Sequence, residues 1–425
     1  MRNTKSNSTS ISLTSSPGEL SSEKSVMRTI AFWLSLVLIF MIPWEKMVSF
    51  EGLGTMSKAA GMLVAAFWVL TVVVTGEFRK PHPFHVAVYL FVFWNVISVF
   101  WSLDVDLTID RIQTYFQLAI LTFILWDLYT TPVALKAGLQ AYVLGAYVAI
   151  GSTVVNYMAA NKAVYNRYAA TGFDANDIGV TLALGIPVAW HLALSGGNGK
   201  MAQVLKLVNY AYLPAATLAI LMTASRGSLI AALPAFLFIL GSFSRLKLFP
   251  RVLIFAALVV ALFALQPLVP QSSLDRLATT GTSIAEADLN DRVEIWRQGL
   301  AVYSEHPLLG VGSGAFRTVV ESDKVAHNAY LSVLVEVGLT GFILFVIILT
   351  ITVYQAARHP IWNSYLWFTV LLVWAVGVFS LTWEYRKPTW LFLSLVVVSA
   401  ALSVRRDESL PVSEVPGKLN VISNG

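Results

Sequence analysis

No cysteine occurs anywhere in the chain, so a disulfide framework and a thiolate metal site are both excluded. Charge is nearly as scarce. Asp, Glu, Lys and Arg make up 12% of the 425 residues, against roughly 25% in soluble domains, while apolar residues reach 56%. A surface that faces water on all sides cannot be built from that stock, so an all-α, polytopic membrane protein is expected. The net charge of +5 is small and dispersed, which removes nucleic acid from the expected partners. Residues 1–26 have almost no apolar content and read as a disordered cytoplasmic tail. The first apolar run, Met27 to Trp44, has Lys24 and Arg28 at its start and no small-residue cleavage site, so it reads as an uncleaved span.

What the chain does have is long apolar runs. Eleven follow the first, at 57–75, 84–102, 112–130, 133–157, 177–195, 205–223, 228–243, 250–266, 329–355, 361–380 and 388–402, each near the length a bilayer needs. About 12 transmembrane helices result, nine in 27–266 and three in 329–402, with a polar loop at 267–328 and a second cytoplasmic tail at 403–425. With the N-terminus inside, the inner loops collect Arg79, Lys80, Lys136, Lys200, Lys206, Arg245, Lys247, Arg251, Arg358, Arg405 and Arg406. That is the positive-inside pattern, and it puts the long loop outside, in a bacterium the periplasm. Arg167, Arg226, Arg292 and Arg386 fall on the outer side against this trend, so something other than sidedness holds them.

A loop of about sixty residues between two spans is longer than connection requires and points to function. Arg226, in LMTASRGSLIAA, sits where Gly227 is expected to let the chain break and re-enter the membrane. It reads either as an arginine snorkelling to headgroups or, with Thr223, Ser225 and Ser228 beside it, as a ligand for an anion. Arg292 begins RVEIWRQGLAVY, whose apolar spacing suits an amphipathic helix over the membrane surface, capped by Asn290 or Asp291 and ending near Pro307. A surface helix with charged decoration is the competing reading. The glycines of HPLLGVGSGAF follow no strand, which rejects a dinucleotide fingerprint and suggests a tight turn at the membrane surface. His327 stands at the entry of the tenth span on the helical face of Tyr330, Leu331, Leu334, Gly338 and Gly341, where the small residues allow close helix packing. A neutral imidazole there either accepts a proton from a hydroxyl or merely completes a hydrogen bond. Glu336, inside hydrocarbon, calls for a partner on another helix.

Taken together and in order, TASRG, RVEIWRQGLAVYSEHPLLGVGSGAF and HNAYLSVLVEVGLTG resemble the O-antigen ligase and polymerase family of bacterial surface-polysaccharide enzymes. The resemblance covers roughly Thr223 to Gly341. It implies a GT-C-like glycosyltransferase of the bacterial inner membrane, with an active site facing the periplasm. Its donor would be an undecaprenyl-diphosphate-linked glycan, and a glycan or lipid-linked molecule would accept, with inversion and with neither cofactor nor metal. By the same resemblance His327 would be the catalytic histidine and Arg226 and Arg292 the pyrophosphate ligands, with Arg167, Arg276 and Arg386 as further substrate contacts. No acidic cluster suited to Mg²⁺ is evident in the outer segments beyond Asp288, Asp291 and Glu294. A protein O-oligosaccharyltransferase shares the histidine motif. A lipid-glycan transporter is the reading from another class, and it calls for internal repeats and interrupted spans, which the sequence does not display.

Overall fold

The computed structural model describes residues 17–50, 54–161, 167–245 apart from 196 and 198, 269–278 and 292–408, with isolated positions between 248 and 260. Eleven long helices occupy them: α1 (Pro17–Met41), α2 (Met56–Thr75), α3 (Pro83–Ile97), α4 (Val105–Leu128), α5 (Pro132–Met158), α6 (Ala175–Leu194), α7 (Lys200–Met222), α8 (Arg226–Ser242), α11 (Ala329–Ala357), α12 (Ile361–Gly377) and α13 (Lys387–Glu408). Two shorter ones, α9 (Gln271–Ala278) and α10 (Arg292–Glu305), belong to the long loop, and a ribbon of β1 (Ser49–Phe50) and β2 (Gly54–Thr55) joins α1 to α2. Eleven of the expected apolar runs are thus helices, and the run at 250–266 lies largely outside the described residues. The helix starts follow from short polar caps ahead of apolar runs: Thr55, Asp104, Thr131, Asp174, Ser225 and Asn328 each accept a backbone N–H of the first turn. α1 begins at Pro17, inside the segment expected to be a tail; a proline at the first helical position with Glu19 in the first turn favours helix there. Residues 1–16 and 409–425 lie outside the described residues.

Nine of these helices are long and apolar enough to cross a membrane, and α4 and α13 reach both ends of the bundle as well. Next to the start of α4 the Leu103 N–H donates to Val311 O (3.0 Å), while near its far end Asp127 pairs with Arg28 (3.1 Å). Its 24 residues span about 36 Å at 1.5 Å each. α13 starts where Lys387 meets Glu45 and ends where Ser403 Oγ lies 3.1 Å from His359 Nδ1. The chain is a multi-pass membrane protein. α6 is buried on every side and α13 nearly so, whereas α2 and α3 leave Leu63, Val73 and Tyr89 exposed, as lipid-facing helices do.

One span is interrupted. Gly338 in α11 has φ 65° and ψ −173°, a conformation essentially confined to glycine, and a Cβ there would lie 2.3 Å from Leu308 O. The backbone groups freed by this break all find partners. Val335 O and Glu336 O accept from the N–H groups of Val311 (3.0 Å) and Gly312 (2.9 Å), Val337 O accepts from Trp94 Nε1 (2.9 Å), and the Leu339 N–H donates to Pro307 O (2.8 Å). The glycine-rich loop turns at Gly310, Gly312 and Gly314, all at positive φ. It is wedged into a broken helix, with Ser313 Oγ donating to Asn95 Oδ1 (2.6 Å) on α3. Broken backbone is tolerated at that depth because protein fills the gap. The interrupted span that the sequence does not display is real, but its polar groups are already occupied by protein.

The long loop and the start of α11 share a small core, separate from that of the bundle: Ile295, Val311, Ala315, Phe316, Val320, Ala326, Leu331 and Val335. α10 ends at Glu305, as the proline at 307 suggests, and its buried side meets protein; Gly299 packs on Phe316 and Leu331. Its caps at 290 and 291 lie outside the described residues.

Candidate functional site

The TASRG turn is built by a different residue from the one the sequence suggests. Ala224, at φ 49°, makes the left-handed step between α7 and α8, and Ser225 caps α8 so that Arg226 is its first residue. Gly227 is helical, and its lack of a Cβ lets Ser380 approach; a Cβ would sit 2.6 Å from Ser380 Oγ. The turn is tied to the start of α6. Ser225 Oγ donates to Asn176 Oδ1 (2.8 Å), Ser228 Oγ donates to Asn176 O (3.2 Å), and Arg167 Nη1 donates to the same Asn176 Oδ1 (3.2 Å). Arg167, only 7% exposed, also pairs with Asp174 at 3.7 Å. Arg167 thus binds Asn176 directly, and Arg226 follows Ser225, which binds the same asparagine.

His327 is not part of the helix it precedes, which corrects its assignment to a helical face. Asn328 is the cap of α11, and His327 before it has φ 48°, a left-handed conformation that costs about 1–2 kcal/mol for a side-chain-bearing residue. Both flanks pin it: Trp296 Nε1 of α10 donates to Ala326 O (2.9 Å), and the His327 N–H donates to Thr382 Oγ1 (3.0 Å). Non-glycine left-handed residues are uncommon and concentrate at functional turns. Here Ala224 and His327 occupy two of them.

Electrostatics join the pieces. Burial lowers the His327 pKa below its ordinary 6.5, Arg292 lowers it further, and Asp174 and Asp177 pull partly the other way. Burial likewise lowers the Arg292 guanidinium, with Asp174 opposing and Arg167 reinforcing. His327, Arg292 and Arg167 thus share the field of Asp174. Asp177, one residue past Asn176, accepts from Lys46 Nζ (2.5 Å) and Trp383 Nε1 (3.0 Å) and lies 3.7 Å from Arg386, so Arg386 joins the same end of the bundle through this carboxylate. Arg276 lies in α9, and its side chain is outside the described residues. The motif Asp174-Ala-Asn-Asp177 and Lys46 are what sequence reasoning passes over. The signal was available: an acid at the head of an apolar span is a functional or paired residue by default.

A second charged cluster lies at the same end. Arg111 Nη1 of α4 contacts Glu336 Oε2 (3.2 Å) and Glu384 Oε1 (3.1 Å), Ser332 Oγ donates to both carboxylates, and the Gly314 N–H donates to Glu336 Oε2 (2.7 Å). Glu336 does find its partner on another helix. Burial raises the Glu384 pKa well above the carboxylate range, Arg111 opposes this, and Glu336 adds to it.

These features lie in or against one stretch of sequence. A family model described as O-antigen ligase matches residues 211–346, from α7 through the TASRG turn, the long loop and His327 into the broken helix. That third of the chain is similar to the O-antigen ligase family. Arg226, Arg292 and His327 fall within the matched O-antigen ligase region, whereas Arg167, Asp174, Asp177 and Arg386 are brought to it from outside by the fold. No curated protein matches the chain. Among the described residues no group of three His, Asp or Glu side chains has the arrangement of a metal site, and Glu294 is engaged by Arg297 (2.7 Å) and Gln298 (2.8 Å).

Proposed function

We propose that the protein transfers a glycan from undecaprenyl diphosphate to an acceptor hydroxyl on the periplasmic side of the bacterial inner membrane. The outer assignment rests on the basic inner loops, since the site lies at the end of the bundle opposite Arg79, Lys136 and Arg358. His327 takes the proton of the acceptor hydroxyl. The hydroxyl oxygen bonds to the anomeric carbon, the bond from that carbon to the diphosphate oxygen breaks, and the electron pair leaves with the lipid diphosphate. Attack opposite the leaving group inverts the anomeric centre. Arg226 and Arg292 offset the charge that grows on the diphosphate, while Arg167 and Arg386 shape the field through Asp174 and Asp177. In this scheme a divalent ion has no task.

The observation that supports the scheme best is His327 itself. Its backbone is held in an unfavoured conformation from both sides, and burial together with Arg292 keeps its ring in the neutral, proton-accepting form. The test is glycan transfer by the purified full chain in lipid vesicles, supplied with an undecaprenyl-diphosphate-linked glycan and an acceptor. His327→Ala should abolish transfer while the protein still inserts and purifies as the wild type does; transfer within a few-fold of wild type would overturn the assignment.

A further inference from the structure

A pocket of about 240 Å³ opens beside α4, and the scheme above leaves it unused. Leu107, Asp110, Arg111 and Thr114 recur at the spacing of one helical face and make one wall. Gly314 closes against that wall; a Cβ there would sit 2.9 Å from Leu107 O and 3.1 Å from Arg111 Cβ. Phe316, Arg317, Val325, Glu336 and Tyr385 complete the lining among the described residues. Its buried part is the ion pair of Arg111 and Glu336 at 3.2 Å, while the exposed Arg317 faces Asp323 at 3.9 Å. Among the described residues both guanidiniums of the lining therefore already have a carboxylate. What the pocket still offers is a mixture of groups. The exposed carboxylate of Asp110 accepts, the hydroxyls of Thr114 and Tyr385 donate and accept, and Leu107, Phe316 and Val325 supply apolar surface. Thr114 Oγ1 already donates to Asp110 O (3.1 Å), which leaves its lone pairs to accept. A sugar ring complements such a lining, because its hydroxyls donate and accept at once, its C–H faces are apolar, and it brings no charge to bury. Pockets for drug-sized ligands hold about 300–1,000 Å³, so this smaller one has room for one ring and not for a chain of them.

The pocket adjoins His327. Val325 stands two residues before the histidine, a reach of about 7 Å at most. On the opposite flank Tyr385 follows Thr382, which accepts the His327 N–H, by three residues. We propose that the pocket seats one neutral pyranose unit of a bound glycan, beside the unit that reacts at His327, and so selects glycans by a sugar that takes no part in the bond change. The inference rests on the glycosyl-transfer reading above and adds a sugar-reading site to it. Asp110 accepts from ring hydroxyls, Thr114 accepts from them too, and the ion pair beneath stays closed. An acidic sugar is disfavoured, since its carboxylate would meet Asp110 and Glu336 while Arg111 and Arg317 are engaged.

The test uses the full chain in phosphatidylcholine nanodiscs and saturation-transfer NMR. The probes are the methyl glycosides of glucose, galactose, mannose, rhamnose, N-acetylglucosamine and glucuronic acid. At least one neutral glycoside should receive saturation, and the glucuronide should not. Leu107→Trp, which fills the pocket from α4, should remove the signal. Asp110→Asn, a change at an exposed position, should weaken binding of the same glycoside about tenfold, the scale of a hydrogen bond to a charged acceptor. In transfer assays Asp110→Asn should raise KM for the donor or the acceptor glycan several-fold with kcat near wild type, because binding lost equally from ground state and transition state leaves kcat alone. The substrate whose KM rises is the one the pocket reads. Silence from every neutral glycoside, an equal response from the glucuronide, or an unchanged signal in either variant would overturn the proposal. His327→Ala should bind the glycoside as the wild type does, so a failure of the histidine assignment would show in transfer alone and a failure of the sugar site in the NMR signal.

Discussion

Two groups of charged side chains share one end of the bundle, and their difference separates architecture from chemistry. Around Arg111, one guanidinium meets two buried carboxylates, Ser332 bridges both, and the raised pKa of Glu384 relieves the excess negative charge. Every strand of that knot is protein: α4, α11 and the loop before α13 are held in register by it, together with the glycine-rich wedge through Gly314. Around Asp174 and Asp177 the balance among the described residues is reversed, with Arg167, Arg292, Arg386 and Lys46 gathered on two carboxylates and Arg226 on the adjoining turn. A group that closes on itself stabilises a fold. One left with surplus positive charge at a membrane face, beside a histidine held neutral, suits an anionic substrate.

The comparison can be broken most severely at Arg111. Arg111→Met would strand Glu336 and Glu384 in the interior, and removing one partner of such a pair costs about 3–5 kcal/mol. Thermal or denaturant unfolding in detergent should register that loss, whereas the same change at Arg292 should cost far less, because Arg167 still faces Asp174. Equal destabilisation by the two changes would erase the distinction between the clusters.

His327→Ala reverses the pattern. Transfer should fall by about a hundredfold or more, the scale of a lost general base, with the unfolding midpoint close to wild type. Next come Arg226→Lys and Arg292→Lys, which keep the charge and lose the planar fork; about a tenfold loss in transfer is expected of residues that grip two phosphate oxygens. Full activity in both lysine variants would count against phosphate binding.

Smaller still is the effect of acidity. Because the folded pKa of His327 is below 6.5, its base form persists as pH falls, and the acid limb of transfer should lie below 6.5. Arg292→Gln removes a repulsion that holds that pKa down, so the limb should move upward. A limb unmoved in the variant would separate Arg292 from the histidine. No effect at all is expected from excess EDTA, since guanidiniums carry the charge that a metal would otherwise offset. Inhibition rescued by Mg²⁺ or Mn²⁺ would redirect attention to the acidic residues of the long loop.

Much of this was legible in the chain. The apolar runs marked eleven helices, because span length and scarcity of charge leave few alternatives, and three short motifs pointed to the family whose model matches residues 211–346. The site was legible only in part. Arg226, Arg292 and His327 were visible as charges out of place near the outer ends of spans, but Asp174, Asn176, Asp177 and Lys46 belong to no motif that sets them apart. Gly227 was read as a hinge when Ala224 makes the turn, because sequence shows which residue tolerates a left-handed step and not which one is forced into it. Gly338 was read as a packing surface; the wedge that breaks the helix there comes from residues 307–312, and no local pattern announces a contact across that separation.

The sequence by itself determined a membrane bundle, its sidedness pattern and the residue types able to hold a diphosphate, because burial in lipid is a matter of composition and period. Only the tertiary structure decided which charges neutralise one another and which remain in surplus. Pairing depends on distances of a few ångströms between residues as far apart in the chain as Lys46 and Asp177 or Arg111 and Glu384, and the Coulomb energy that sets their roles exists only once the helices have packed.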